Sequence, residues 1–445
     1  MSPEVLTILM FGTLIVLIVL GHPLAVTLAA TATLYGLIDN GFNVPALLDL
    51  FTNNNWGNFT NYTLVSVPLF IFMAQVLDRS KVSESLFDAL YIVLGGLRGG
   101  LGLAVIVVST VFAATTGIVG ASVVAMSLMA GPVLLQRGYE KGLAAGLICS
   151  SGTLGILIPP SIMLVVYGGL TGLKETSVGN LFAAAILPGL LLSGLYMTYV
   201  AIRCGINPKL GPPIPVADRT STFGQKFMMT ITSFVPPFGL ILAVMGSILA
   251  GIATPTEAAA LGATGALILA IFKRSCTWTM ISGSAISTAR TTAMVMALFI
   301  GGKVFSVVFL SMGGGDVVEE LLLGFTNRYV ALGIMMLIIF ILGMFIDWAA
   351  ILLVTVPIFT PIAVLLDFDP LWFAMLICVN LQTSFLTPPF GYSLFYFKGA
   401  APPEYSIGDV YRGIIPFVGL QALAIVLLIV FPQIITYLPS VFFGS

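Results

Sequence analysis

Charge is what this chain has least of. Of its 445 residues, 8% are charged and 58% hydrophobic, with one histidine and four cysteines. A water-soluble globular domain carries about 25% Asp, Glu, Lys and Arg, so a soluble fold is excluded. A single histidine rules out a His-Glu-x-x-His zinc protease. A histidine-based serine dyad would have only His22 to use, in the turn Gly21-His22-Pro23. Cys149, Cys204, Cys276 and Cys378 lie far apart, in or beside apolar segments. No disulfide framework or zinc spacing results, and they read as small buried apolar residues. Proton-pumping subunits need several mid-membrane Lys and Glu residues, where this chain has essentially Lys303. The glycine pairs Gly95-Gly96 and Gly99-Gly100 and the run Gly313–Gly315 lack the strand–helix context of a phosphate loop.

What the chain does have is apolar runs of about 20 residues, enough to cross a bilayer core. The first, Val5–Leu20, follows no basic residue and no small-residue cleavage site, so it reads as a span and not a signal peptide. Two runs are interrupted by paired prolines: GTLGILIPPSIMLVVYG at 152–168 and NLQTSFLTPPFG at 380–391. Proline lacks the backbone donor and clashes with the carbonyl four residues back. Pro159-Pro160 and Pro388-Pro389 should therefore each split a helix and free carbonyls that need a partner in hydrocarbon. Two broken helices in matching halves are a sequence-level pointer to a transport site.

The halves are visible as a repeat. Leu69-Phe70-Ile71 recurs as Leu298-Phe299-Ile300 (298 − 69 = 229), and Leu147-Ile148-Cys149 as Leu376-Ile377-Cys378 (376 − 147 = 229). The proline pairs share that offset (388 − 159 = 229), and so do Gly179 and Gly408 (408 − 179 = 229). The expected division is 1–215 and 216–445. In the first half, spans are expected at 5–20, 23–38 and 63–78, then an interfacial helix at 80–96 and a re-entrant hairpin at 101–135. The hairpin tip is TTGIVGAS, 115–122, and a broken helix at 142–170 and a span at 180–202 follow. The second half repeats the order: 228–250, 256–272, 291–310, an amphipathic piece at 316–324, hairpin two at 329–366 with its tip near Gly343–Trp348, a broken helix at 371–397, and a span at 411–436.

Five crossings per half would invert the second half relative to the first. Basic residues, which concentrate in cytoplasmic loops, agree with that if the N-terminus is outside. Of the seventeen Lys and Arg, Lys174 and Arg328 fall outside and Lys303 in a span, leaving 17 − 3 = 14 on the cytoplasmic side. The proline-rich stretch 203–227 reads as a cytoplasmic linker.

Candidate chemistry is sparse. The first tip, Thr115–Ser122, offers hydroxyls and accessible carbonyls of the kind unwound helices present to sodium. Close packing of small residues would explain it equally, but the neighbouring Pro-Pro break favours an ion site. Asp347 is either a functional intramembrane carboxylate or an N-cap. Lys303 serves either substrate attraction or structural pairing. Thr254-Pro255-Thr256-Glu257 matches a capping box with proline at N1, so Glu257 is read as structural.

TTGIVGASVV, GTLGILIPPS, ATPTEAAA and LTPPFG, in this order, resemble the large membrane subunit of tripartite ATP-independent periplasmic (TRAP) transporters along essentially the whole chain. The expected fold is an all-α polytopic membrane protein of two inverted repeats, with both termini periplasmic by the charge bias; the resemblance adds an elevator mechanism in a bacterial inner membrane. The implied activity is sodium-driven uptake of a small organic anion, a carboxylate, with sodium as coupling ion and no other cofactor. Implied partners are a small four-helix membrane subunit and a soluble periplasmic binding protein; membrane lipid surrounds the chain, and no nucleic acid is involved. Because the chain begins directly at the first span, no fused small subunit is expected. By motif, the first sodium site would use Thr115, Thr116, Gly117, Gly120 and Ser122 with Gly155, Ile158 and Pro159. The second would use Gly343 with Ser384, Thr387 and Phe390. Substrate would lie between the tips, at Thr116, Gly117, Ser122, Asp347 and Thr387. The chain has TTGIVGAS where many relatives have Ser-Gly-Ser-Ser, and Ser384 where many have glycine. The other class of function left open is a passive channel or structural membrane subunit.

Overall fold

In the computed structural model, the described residues are 2–80, 82–215, 222–389 and 391–444; for Asn58, Phe59, Ser83, Thr115, Thr116 and Phe223 only the backbone is described. Arg219, Lys81 and Phe390 thus lie outside the described residues. The described chain is all helical. The first half contains α1 (Pro3–Val19), α2 (Leu24–Asp39), α3 (Val44–Phe59), α4 (Tyr62–Arg79), α5 (Val82–Leu94), α6 (Gly100–Thr116), α7 (Val119–Gln136), α8 (Lys141–Thr153), α9 (Ile162–Thr171) and α10 (Val178–Ile206). Then come α11 (Phe223–Leu249), α12 (Pro255–Phe272), α13 (Trp278–Ser311), α14 (Gly314–Leu323), α15 (Arg328–Phe345), α16 (Trp348–Leu365), α17 (Pro370–Leu386), α18 (Tyr392–Ala400), α19 (Ile407–Val430) and α20 (Gln433–Phe443). Nine of the described helices are long and apolar enough to cross a membrane. That makes the chain a multi-pass membrane protein.

Local chemistry sets the boundaries. Asn61, Thr277, Ser406 and Asp369 accept backbone N–H bonds at the starts of α4, α13, α19 and α17. The capping box at Thr254 and Glu257 is formed, with Pro255 at the first helical position of α12. Glu257 is therefore structural, as expected.

Four expectations need correction. Helix α3 was missed, because its Asn53-Asn54-Asn55 end breaks the apolar pattern; it is fixed by Leu47, which fills the space over Gly36 of α2. Helix α13 begins at Trp278, well before the expected 291, since Thr277 caps a polar extra stretch. The last span ends at Val430 and α20 is a separate helix beyond Pro432. The tip of hairpin one is also shorter than 115–122: Gly117 and Ile118 make the turn, and Val119–Ser122 already belong to α7.

The most deeply buried helices are the two that lead into the proline breaks, α8 and α17. All residues of α17 from Leu371 to Leu386 are buried, as are Gly142–Thr153 of α8. Helix α8 packs on α19 and α7, with Gly146 and Gly142 close against the Gly413 backbone. Helix α4 packs on both α12 and α13, and α13 also runs along α2 and α16. The proline-broken helices thus lie at the centre, beside the hairpins α6–α7 and α15–α16.

Candidate functional site

Each hairpin tip rests on a proline break. In α6–α7 the turn is made by Gly117 at φ +62°, a left-handed conformation natural to glycine. A side chain there would press on Ile162, the first residue of α9. Ser122 is fully buried, and its Oγ donates to Ile118 O at 3.2 Å. It lies directly over Gly155, whose added Cβ would stand 3.1 Å from Ser122 Oγ. Gly120 faces the Tyr396 ring of α18. Hairpin one therefore touches both broken helices.

After α8, one 3-10 turn (Leu154–Ile156) leads into the break. Pro159 and Pro160 supply no amide, so the Gly155 and Ile156 carbonyls have no i+4 donor. Ser161 Oγ satisfies Ile156 O. Pro159 is buried and Ile158 packs over Gly189 of α10. The second break uses the same device: Ser393 Oγ donates to Phe385 O at 2.9 Å. Both Pro-Pro bonds are cis. Pro159 and Pro160 are buried, whereas Pro388 and Pro389 are exposed. Sequence reasoning missed Ser161 and Ser393, although each lies within five residues of its proline pair and that proximity was the available signal.

At hairpin two, Gly343 of α15 packs directly on Ser384 of α17, where a Cβ would collide with the serine hydroxyl. Ser384 Oγ donates to Leu381 O at 2.8 Å and Thr387 Oγ1 to Thr383 O at 2.8 Å. Ser122, Ser384 and Thr387 each donate their proton to a backbone carbonyl. The lone pairs of Ser384 and Thr387 can still accept, which suits a monovalent cation held by neutral oxygens. No group of three or more His, Cys, Asp or Glu residues is placed to hold a metal among the described residues. Asp347 caps α16, its Oδ2 accepting from Ala349 N at 3.1 Å. Tyr392 Oη donates to Phe345 O at 3.1 Å, locking the tip of hairpin two to α18.

Between the tips lies a cavity of about 80 Å³. Hairpin one contributes Ile118, Val119 and Gly120, hairpin two Asp347 and Trp348, and the broken helices Ile162, Phe385, Tyr392 and Tyr396. The last wall is α13, through Thr291, Met294 and Val295. Of the expected substrate residues, Asp347 borders this space. Gly117, Ser122 and Thr387 instead sit in the helix contacts around it, and the Thr115 and Thr116 side chains and Phe390 lie outside the described residues. The α13 wall was missed, because an apolar run does not reveal which of its faces meets a tip. Lys303, on α13, is half-buried, stands outside the cavity wall and has no carboxylate partner among the described residues.

A multi-pass helical chain that encloses a small cavity between two hairpin tips and two proline-broken helices belongs among membrane transport proteins. The comparisons narrow this. The model of the tripartite ATP-independent periplasmic transporter DctM component matches residues 11–434, and the chain belongs to that family. It is similar to the C4-dicarboxylate TRAP transporter large permease protein DctM of Pseudomonas aeruginosa, 31% identical over 386 residues, 86% of this chain and 85% of that one. The ectoine TRAP transporter large permease protein TeaC of Halomonas elongata is 30% identical over 440 residues, 98% and 100% of the two chains. The isethionate TRAP transporter permease protein DctMQ of Oleidesulfovibrio alaskensis is 30% identical over 434 residues, 97% of this chain and 65% of that one. These relatives are transporter permeases and not enzymes. Among solved structures, the Alcanivorax borkumensis YdaH transporter shares the fold, with a TM-score of 0.65 at 15% identity over 88% of this chain and 89% of that one.

Proposed function

We propose that this chain is the transport subunit of a sodium-driven, binding-protein-dependent uptake system for a small organic anion, working by an elevator motion in a bacterial inner membrane. The observation that carries the reading is the cavity between the hairpin tips, walled by both broken helices and by α13. Substrate occupies it, and sodium sits beside it at the neutral oxygens of Ser122 and the Gly155–Pro159 segment, and of Ser384 and Thr387 next to Gly343. Two of the relatives are named for organic anions, C4-dicarboxylates and isethionate, which supports a carboxylate or similar acid. A small four-helix membrane subunit and a soluble periplasmic protein complete the system.

The inverted repeat belongs to this proposal, and the helix boundaries support it. Helices α7 and α16 are offset by 348 − 119 = 229 at the start and 365 − 136 = 229 at the end. Helices α6 and α15 end 345 − 116 = 229 apart, α9 and α18 end 400 − 171 = 229 apart, and α10 and α19 start 407 − 178 = 229 apart. An odd number of crossings in each half puts both termini on one side, and the excess of Lys and Arg in the opposite loops supports the periplasm as that side. Alternating access is supported by the wall of α7 away from the cavity. Ala121, Val124, Ala125 and Leu128 line an open crevice of about 400 Å³ against Asp78, Arg79 and Glu84, so hairpin one is not sealed to α4 and α5 there.

The test is uptake of radiolabelled succinate, isethionate and ectoine into proteoliposomes holding the complete complex, with and without a sodium gradient and the binding protein. Uptake that needs both supports the proposal. Uptake that runs equally without either replaces it with a passive channel.

A further inference from the structure

Beside hairpin two lies a groove of a different kind. About 290 Å³ in volume, it is bounded by Phe11 and Ile15 of α1, Val318, Leu321 and Leu322 of α14, Ile338 and Leu342 of α15, and the Val354–Phe359 stretch of α16. The one hydroxyl residue on its wall, Thr355, donates its proton to Ile351 O at 2.7 Å. Water entering here would find no set of polar partners, and such cavities stay dry or take apolar guests. The rim residues Ile15, Leu321 and Ile338 are exposed. They continue the lipid-facing surfaces of α1 and α15, where Ile8, Val16, Leu337 and Ile341 are exposed too. The groove therefore opens onto the bilayer and not onto water. The crevices beside hairpin one differ: Asp78, Arg79 and Glu84 line one, and Asp88, Tyr91 and Arg137 the other, so an acyl chain there would strip water from charges.

We propose that this groove seats one acyl chain of a phospholipid whose headgroup carries an ammonium, as phosphatidylethanolamine does. The headgroup preference follows from α14, the amphipathic helix over the groove. It carries Asp316, Glu319 and Glu320 and no basic residue. Arg328, the nearest cation in sequence, is occupied by the Leu366 and Asp367 carbonyls and by the Tyr329 and Phe368 rings. The acidic edge repels an anionic headgroup and attracts an ammonium. A lipid seated this way touches α1 and α14 on one side and hairpin two on the other, so its residence depends on their separation.

The test uses the complete complex in nanodiscs doped with phosphatidylethanolamine or phosphatidylglycerol, each bearing the same mid-chain diazirine. Photoadducts are mapped by mass spectrometry. Adducts should concentrate on 318–322, 338–342 and 354–359 relative to Val235 and Leu242, which are exposed on α11. Phosphatidylethanolamine should outlabel phosphatidylglycerol about fivefold, the worth of one charge near such a surface. The surface variant D316N/E319Q/E320Q should keep the groove adducts and lose the headgroup preference. Groove adducts no denser than those on α11, or lipid adducts that fall on the small subunit and not on the groove, overturn the acyl-chain site. Equal labelling by both lipids, or a preference that survives in the variant, overturns the headgroup assignment.

Discussion

Gly343→Ala is the most informative single change, because the structure supplies both its cost and its cure. The added methyl would fall on the Ser384 hydroxyl and within 2.7 Å of Ser384 Cβ, with Leu381 Cδ2 at 3.5 Å. Ser384 is fully buried and its hydroxyl is held to Leu381 O, so it has little room to retreat. Overpacking of this kind costs about 1–3 kcal/mol. Ser384→Gly alone removes one buried hydrogen bond, about 1 kcal/mol, and adds glycine flexibility near a helix end, about 0.5–1 kcal/mol. In Gly343→Ala/Ser384→Gly the alanine methyl enters the space the serine left, so the double variant should be more stable than the sum of the singles by about 1–3 kcal/mol. Sodium reports separately. If Ser384 Oγ is a ligand, Gly343→Ala displaces it, and the half-saturating sodium concentration for uptake rises about tenfold for each 1.4 kcal/mol of lost coordination. Thermal unfolding in nanodiscs and sodium activation of uptake are measured on all four proteins. Strictly additive unfolding shifts would refute the contact between hairpin two and α17. An unchanged sodium curve in a destabilised Gly343→Ala would remove this corner from the ion site.

Thr387→Val keeps the shape but removes the oxygen that now donates to Thr383 O; sodium activation of uptake should shift to higher concentration, and an identical curve would exclude Thr387 as a ligand. Tyr405→Phe removes the buried bond from Tyr405 Oη to Gly131 O at 2.9 Å, which should cost about 1 kcal/mol in unfolding and leave sodium dependence alone; altered sodium dependence would mean that the loop before α19 helps to set hairpin one. A cysteine at Pro215 should label only from the cytoplasm, and labelling of intact cells by an impermeant reagent would break the inverted topology. Gly120 shares the cavity with Met294 of α13, so a bifunctional thiol reagent long enough to span the cavity should join Gly120→Cys to Met294→Cys in this conformation. Cysteine pairs joining residue 120 to the 63–78 span should form in another state and block uptake; yields indifferent to sodium and substrate would replace the elevator with a rocking or channel motion.

Much of this molecule is written in local chemistry. Low charge and long apolar runs determined a membrane protein, because a polar solvent would not tolerate such a surface. Adjacent prolines determined where α8–α9 and α17–α18 break, since no neighbour can restore an amide that the residue lacks. Thr254 and Glu257 determined the start of α12 through bonds spanning three residues. The spacing of Leu147-Ile148-Cys149 and Leu376-Ile377-Cys378 carries the proposed repeat. Polar helix ends were less legible: α3 and the first turns of α13 carry no long apolar run; α3 is held against α13 and α2, and α13 starts at its Thr277 cap. What the fold alone decided are meetings between distant segments. Gly343 against Ser384, Gly120 under Tyr396, and Thr291 and Met294 on the cavity wall depend on the angles at which helices cross. Those angles are set by summed packing over whole helix faces, so no single residue announces them.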